Sequence, residues 1–349
     1  MSAPAPAVPH LLDVRENHHD PDPDHVPDHG ERLPTHWRAR AVAIPLSELD
    51  ARAHELPPPC DDPNGDDAPE NESSDANVHV LEAARERRRP LWVIHDPKQA
   101  HDVAAWFNSR KRHTIRRRMV VPGDDTWNEA LATQHDDTSL EKMLPPPRLW
   151  MPSPALTATI DAIEASAFQN GSSTPCAVDL GCGVGRDAVL LASRGWDVVA
   201  VDSSVPALEK CTSLARKYAG RNGGRIQTLQ VDMRKVPTEQ VVEQVVKLAN
   251  PAQPRLYIGV RFLHRPLLHH LACTAAVGCH VLWSHFMDGC QAWGHPLRER
   301  DILLQNELVS SIFSASRGWR TLFSHEGAGF AEDARPLATL ATVRDELKS

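Results

Sequence analysis

Ala177-Val178-Asp179-Leu180-Gly181-Cys182-Gly183-Val184-Gly185-Arg186-Asp187 is the stretch on which the fold turns. An apolar run enters three alternate glycines, and helix-forming residues follow. A strand is expected at Cys176–Leu180 and a helix from Arg186. Glycine suits such a turn because it tolerates unusual φ/ψ angles and lets a ligand approach the backbone closely. The helix start then offers free N–H groups and the positive end of its dipole. The spacing is G-x-G-x-G, and Arg186 stands where a dinucleotide-binding G-x-G-x-x-G turn would place its third glycine. Asp179, two residues before the first glycine, suits a cationic ligand and suits a pyrophosphate poorly.

Outward from this turn, strands and helices alternate. DVVAVD (197–202) reads as the next strand and ends in Asp202, a carboxylate placed for ribose-type hydroxyls. Further strands are expected at Ile226–Val231, Leu256–Val260 and His280–His285, with helices between them. Trp319–Ser324 and Leu337–Val343 read as a closing β-hairpin. Upstream, Ser153 is a good N-cap, Pro154 suits the first helical position, and Leu156, Ile160 and Ile163 share one face. The expected class is α/β, a doubly wound parallel sheet with helices on both faces.

With strand, glycine turn, helix and second acid together, the segment from about Leu149 to Val343 resembles the class I S-adenosylmethionine (SAM) dependent methyltransferases. The resemblance implies a Rossmann-like seven-stranded sheet over 155–345, mostly parallel with an antiparallel closing hairpin, and SAM as cofactor. It implies that Gly181, Gly183 and Gly185 line the methionine and ribose portions, with Asp179 in the same motif meeting the methionine ammonium. Asp202 would hold the ribose. Asp232, in QVDMRK, would meet the adenine amino group with Met233 beside the ring; its plainer reading is a turn residue. The fourth-strand segment LYIGVRFLHRPLL carries no acid, so a carboxylate base must come from elsewhere.

Within the family, RLWMPSP, VRFLHRPLL and SHFMDGCQAWGHP followed by LLQNEL are most similar to small-molecule enzymes of the tellurite-resistance type. RLWMPSP should pack the preceding helix over the cofactor cleft. SAM is strongly electrophilic, so catalysis is mainly in-line positioning and exclusion of water. A thiolate or chalcogen oxyanion needs no base; a hydroxyl or amine acceptor can use His264. Arg261 or Arg265 suits an anionic acceptor. The plainer alternative makes His264 and Arg265 structural ties between the strand exit and the helix from Pro266. His285, Phe286 and Gln291 follow the fifth strand, and His269 and His270 read as helix-surface residues.

The first half is patchier. Leu11–Val14, Ala41–Ile44 and Leu91–Ile94 are strand candidates, and Gln99–Phe107 reads as a helix with Val103, Trp106 and Phe107 on one side. LLDVRE (11–16), IPLSELDARAHELPP (44–58), LWVI with DVAAWF, and VPGDDTWNEAL near Trp127 together resemble a rhodanese-like domain over residues 9–132. Two polar insertions, near 17–30 and 57–77, interrupt it, and 133–154 reads as a linker. The position of the sulfur-carrying cysteine after LWVI holds His95, and Cys60 is the nearest cysteine in sequence. Persulfide chemistry needs a thiolate, so this domain is expected to be catalytically silent.

The formal net charge of −8 argues against a general nucleic-acid binder, with RKRHTIRRR (110–118) a local basic exception. Seven scattered cysteines without a C-x-x-C pair read as reduced thiols, and no metal site is expected. No apolar run reaches the length of a membrane helix, and a cytoplasmic enzyme is expected. The leading expectation is methyl transfer from SAM to a small molecule. Its rivals are a non-catalytic SAM-binding scaffold and, on the basic run, methylation of RNA or protein.

Overall fold

A computed structural model describes residues 10–14, 41–44, 46–56, 91–95, 97–109, 117–121, 148–168, 174–219, 224–249, 253–293, 296, 298–328 and 335–346. These fall into two compact units that meet in sequence between Met151 and Pro152. The insertions near 17–30 and 57–77, Cys60, Trp127 and residues 110–116 of the basic run lie outside the described residues.

The first unit holds a parallel four-stranded sheet. Its strands are β1 (His10–Asp13), β2 (Ala41–Ala43), β3 (Leu91–Ile94) and β4 (Arg117–Val120), in the order β2-β1-β3-β4. Helix α1 (Ala100–Ser109) follows β3. Val103 and Phe107, four residues apart, are fully buried with Leu12, Ile44, Leu91 and Val93, while Trp106 is only half-buried at the edge of that core. His95, directly after β3, is buried and its N–H donates to the Val120 carbonyl at 3.1 Å.

The second unit begins with α2 (Pro154–Ala167). Ser153 caps it, its hydroxyl accepting from the Leu156 N–H at 3.2 Å, and Leu156, Ile160 and Ile163 form its buried stripe. Then follow β5 (Cys176–Leu180), α3 (Arg186–Ser193), β6 (Asp197–Asp202), α4 (Val205–Tyr218), β7 (Ile226–Gln230), α5 (Thr238–Leu248), β8 (Pro254–Val260), α6 (Arg265–Thr274) and β9 (His280–Phe286). A six-residue π-helical turn, Glu307–Ile312, leads into the hairpin β10 (Trp319–Gly327) and β11 (Leu337–Arg344). Most of these boundaries lie within one or two residues of those expected from the apolar runs.

The strand order is β10-β11-β9-β8-β5-β6-β7, parallel except where β11 joins β9 and β10. The order follows from burial. All five residues of β5 are buried, as a central strand with both faces covered requires, whereas β7 exposes Gln227, Thr228 and Gln230 at the sheet edge. One face packs Val178, Leu180, Val199 and Val201 against Val241 and Val245 of α5 and Leu267, Leu268 and Leu271 of α6. Helices α3 and α4 pack on each other beside β6 and β7. From β5 the chain runs to β6 on one side, and β8 pairs on the other. The strand order therefore reverses at β5, and the crevice beyond the C-terminal ends of β5 and β8 is where such sheets hold ligands.

Candidate cofactor and acceptor site

The turn after β5 is built by its glycines. Gly181, Gly183 and Gly185 all adopt positive φ, at 76°, 54° and 77°. The N–H groups of Gly181 and Cys182 both donate to the Val201 carbonyl of β6, at 2.8 and 3.0 Å. The Gly183 N–H donates to Asp202 Oδ2 at 2.9 Å, and Asp202 Oδ1 accepts from the Ser204 N–H at 2.8 Å. Asp202 thus clamps the turn from the neighbouring strand and keeps a further lone pair on each oxygen for hydroxyl donors. At Gly185 a Cβ would overlap the Cys211 sulfur of α4; at Gly183 it would meet no heavy atom within 4 Å. Gly183 is thus a left-handed residue that faces open space.

Asp179 lies beneath the turn, 3% exposed. Burial raises its carboxyl well above the usual carboxylate range, and Asp187, Cys211 and Asp202 raise it further, against one lowering hydrogen bond from the Ala188 N–H of α3. A buried acid among like charges lacks its counter-ion, and a ligand ammonium would supply it. Asp187 in turn accepts from the Ser153 N–H at 2.6 Å, so the start of α2 is tied to the first turn of α3 beside the glycines. SAM fits these groups: an open cradle, a buried acid for its ammonium and a clamping acid for its hydroxyls.

Asp232 lies in the turn after β7. Its Oδ1 accepts from the Arg234 N–H at 3.1 Å, and its Oδ2 pairs with Lys235 Nζ at 3.0 Å, which holds this carboxyl below its ordinary value. Met233 is 4% exposed and belongs to the hydrophobic core.

At the β8 exit, Arg261 is a non-glycine residue at φ 55°, its N–H held by the Ser284 carbonyl at 2.8 Å. Such conformations persist where surroundings impose them and cluster at functional sites. Its guanidinium lies 5.7 Å from the Phe286 ring centre, and that of Arg335 lies 4.3 Å from it. Phe262 covers Gly181 so closely that a Cβ there would strike its ring, and it stacks on His264 and tilts against Trp283. Phe262, Arg335 and Cys211 were not singled out in sequence. An aromatic residue directly after the fourth strand was a signal for the first, but nothing local marked the others.

The remaining expected groups separate. His264 is the N-cap of α6, its Nδ1 accepting from the Leu267 N–H at 3.3 Å. The neutral ring then carries its proton on Nε2, which leaves no free lone pair for a general base. Burial first, and then the Arg234 charge, lowers its pKa. Arg265 is a clasp: Nε and Nη2 bind both oxygens of Glu307 at 2.6 and 2.9 Å, and Nη1 and Nη2 bind the Arg300 and Ile302 carbonyls, each at 2.6 Å. Both side chains are thus hydrogen-bonded within the scaffold, the arrangement that the plainer reading of the sequence describes. Gln291 closes its own turn on Gly289 and Asp288. His269 is exposed on α6 and His270 half-buried.

His285, by contrast, is 6% exposed, with Nε2 donating to the Asp301 carbonyl at 3.0 Å and, among the described residues, no hydrogen-bond partner for Nδ1. Burial, aided by Arg265 and Arg234, pushes its pKa down to about 4, so the ring is neutral at physiological pH. Among the described residues no cluster of His, Cys, Asp and Glu is arranged to hold a metal, and no helix is long and apolar enough to cross a membrane.

The capping role of His264 has a measurable consequence. His264→Ala is expected to destabilise the domain by about 1 kcal/mol, and His264→Asn, another good cap, to recover most of that. Thermal unfolding of both variants checks this; equal losses would count against the cap.

Residues 177–252 match the family profile described as "Methyltransferase domain". No curated protein matches the chain. Among solved structures, a protein described under conversion of a disulfide bond into a thioacetal group during echinomycin biosynthesis is 18% identical, covering 57% of this chain and 83% of that one, TM-score 0.39. TehB from Haemophilus influenzae is 20% identical over 54% of this chain and 61% of its own, TM-score 0.38. The magnesium protoporphyrin IX methyltransferase of Synechocystis with bound SAM is 16% identical over 70% and 96%, TM-score 0.36. Likenesses of this size say nothing about substrate. The profile match spans β5 to α5, the stretch that holds the glycine turn, Asp202 and Asp232.

Proposed function

We propose that the chain is a SAM-dependent methyltransferase that modifies a small anionic or thiol-bearing acceptor at the crevice between β5 and β8. The observation that carries the reading is the open, left-handed Gly183 above the buried, counter-ion-poor Asp179. In it Gly181, Gly183 and Gly185 line the methionine and ribose portions, Asp179 meets the ammonium and Asp202 the ribose hydroxyls. Asp232 meets the adenine amino group by exchanging its exposed Lys235 partner, and Met233 supplies apolar support from the core. SAM supplies an electrophilic methyl when bound; the protein's part is alignment and exclusion of water. Phe262, closed over Gly181, screens the reacting centre from solvent.

Arg261 and Arg335, both against Phe286, favour an anionic acceptor. His285 Nδ1, neutral and buried, can accept a hydrogen bond from an acceptor carrying S–H or O–H. We assign Arg265 and His264 to the scaffold on the hydrogen bonds that occupy them. The finer placement beside the tellurite-resistance type rests on the three sequence segments and remains a reading of those residues. The first unit is read as a rhodanese-like domain with His95, buried after β3, in place of the persulfide cysteine.

The test is production of S-adenosylhomocysteine from SAM with thiols, with selenite and tellurite, and with short RNA. Turnover with a thiol or chalcogen oxyanion, weakened by Arg261→Ala, supports the reading. Turnover only with RNA would move the acceptor to the basic run, and binding of SAM without any turnover would favour the scaffold rival.

A further inference from the structure

Strand β9 runs parallel to β8 and ends beside it. It carries two buried polar atoms with no hydrogen-bond partner among the described residues, Nε1 of Trp283 and Nδ1 of His285. Trp283 is fully buried and His285 is 6% exposed. Two residues apart on one strand, they project from the same face of the sheet. Buried polar groups are as a rule paired, so two orphans on one face need an explanation. Geometry fixes the His285 tautomer. Its Nε2 meets the Asp301 carbonyl at 3.0 Å, and a carbonyl only accepts, so the proton sits on Nε2 and Nδ1 offers a lone pair. Trp283 thus brings a donor and His285 an acceptor.

Their neighbours belong to the two halves of the site. A Cβ on Gly259 of β8 would strike the Trp283 ring, and Phe262, which covers Gly181, tilts against that ring with centres 6.1 Å apart. The His285 ring meets Phe286 edge-on with centres 5.3 Å apart, and Phe286 carries the Arg261 and Arg335 guanidinium groups. We infer that Trp283 and His285 hold the reacting atom of the acceptor, and that this atom is the sulfur of a neutral thiol on a molecule with an anionic group. This inference rests on the methyltransferase reading above and narrows its acceptor.

A thiol completes both orphans, since its S–H donates to His285 Nδ1 and its lone pair accepts from the Trp283 N–H. The chalcogen of selenite or tellurite bears no hydrogen and leaves Nδ1 unpaired. Burial, with Arg265 and Arg234 nearby, keeps the His285 ring neutral down to about pH 4, which makes it too weak a base to ionise an alcohol. Sulfur is soft and polarizable and needs no prior ionisation. Its lone pair forms the new S–CH3 bond, the methyl's old bond to the SAM sulfur breaks and leaves its electron pair there, and the S–H proton passes to His285 Nδ1 and on to water. Thiol and SAM give thioether, S-adenosylhomocysteine and a proton. Neither orphan meets solvent, so the acceptor reaches them by displacing a cover, and the half-buried Phe262 ring against Trp283 is that cover.

The full chain, loaded with S-adenosylhomocysteine, is titrated calorimetrically with 3-mercaptopropionate and with its S-methyl thioether, which keeps the carboxylate and lacks the S–H. The thiol is expected to bind roughly tenfold tighter, or about 1.4 kcal/mol. Equal affinities, or no binding of the thiol, overturn the inference. His285→Gln keeps an N–H for the Asp301 carbonyl and loses the acceptor at Nδ1. His285→Asn sets an amide oxygen where Nδ1 stood and loses the Asp301 bond. The glutamine variant should match the wild type in Tm and SAM affinity, lose the preference for the thiol, and methylate it roughly a hundredfold more slowly. The asparagine variant should melt earlier and keep the preference. The reverse pattern makes His285 a structural tie alone, and methylation of selenite or tellurite in place of the thiol overturns the assignment. A wild type that binds neither SAM nor S-adenosylhomocysteine sinks the methyltransferase reading itself, which separates the two failures.

Discussion

Asp179→Asn is expected to make the ligand-free protein more stable at neutral pH while weakening SAM binding by roughly tenfold or more. In the folded protein the Asp179 carboxyl is buried beside Asp187 and Asp202, and its pKa lies well above the usual value. The folded state therefore binds this proton more tightly than the unfolded chain does. The stability it contributes is greatest in acid. That contribution falls as pH rises from the ordinary carboxylate range, and it is fully lost above the raised folded pKa. At neutral pH the unfolded chain gains by ionising this group while the folded site disfavours its charge, so the carboxyl is a net cost that asparagine avoids while its Oδ1 still accepts from the Ala188 N–H. A gain on the order of 1–2 kcal/mol, a few degrees in Tm, is expected. The SAM ammonium would repay the same charge in the wild type, so binding should release a proton. Calorimetry in buffers of different ionisation enthalpy reads that release directly. A variant less stable than wild type at pH 8, with unchanged SAM affinity, would show that Asp179 serves packing alone.

The second large effect belongs to the third glycine. Gly185→Ala forces a side chain into φ 77° and onto the Cys211 sulfur, whose Cα is part of α4 and cannot retreat. Left-handed backbone costs about 1–2 kcal/mol and core overpacking about 1–3 kcal/mol more, so a loss of about 2–5 kcal/mol is expected. SAM binding should fall below detection. Gly183→Ala makes the contrasting case. Its Cβ meets open space, so stability should drop by only the backbone term, about 1–2 kcal/mol. Its new methyl would stand in the cradle, and SAM affinity should fall far more than stability does. Unfolding curves paired with titrations for both variants separate the two roles. Wild-type affinity in Gly183→Ala would place the ligand elsewhere.

Much of the second unit was legible because each of its signals is local. The buried run of β5, the alternate glycines and the cap at Ser153 act within a few residues of themselves, so periodicity and turn chemistry reveal them. The roles of the residues after β8 were not legible in the same way. His264 and Arg265 have the right types for acid–base and anion-binding work, and nothing nearby in sequence shows that they are already committed. Arg265 is spoken for by Glu307, forty-two positions away, and that pairing exists only once the π-helical turn packs beside α6.

The first unit shows the same limit. Its strands are short, and the order β2-β1-β3-β4 depends on pairings between segments separated by long insertions. His95 was visible as the residue standing where a cysteine was expected, but its burial and its backbone tie to Val120 were not.

By itself the sequence determined the α/β alternation, the glycine turn and its two flanking acids, because these depend on backbone conformations and charges that neighbouring residues impose. Tertiary structure alone decided that Gly183 is open while Gly185 is sealed by Cys211, that Phe262 covers Gly181, and that His264 and Arg265 are bound into the scaffold. Those facts turn on which side chains from distant strands and helices reach the same few ångströms, and packing sets that distance.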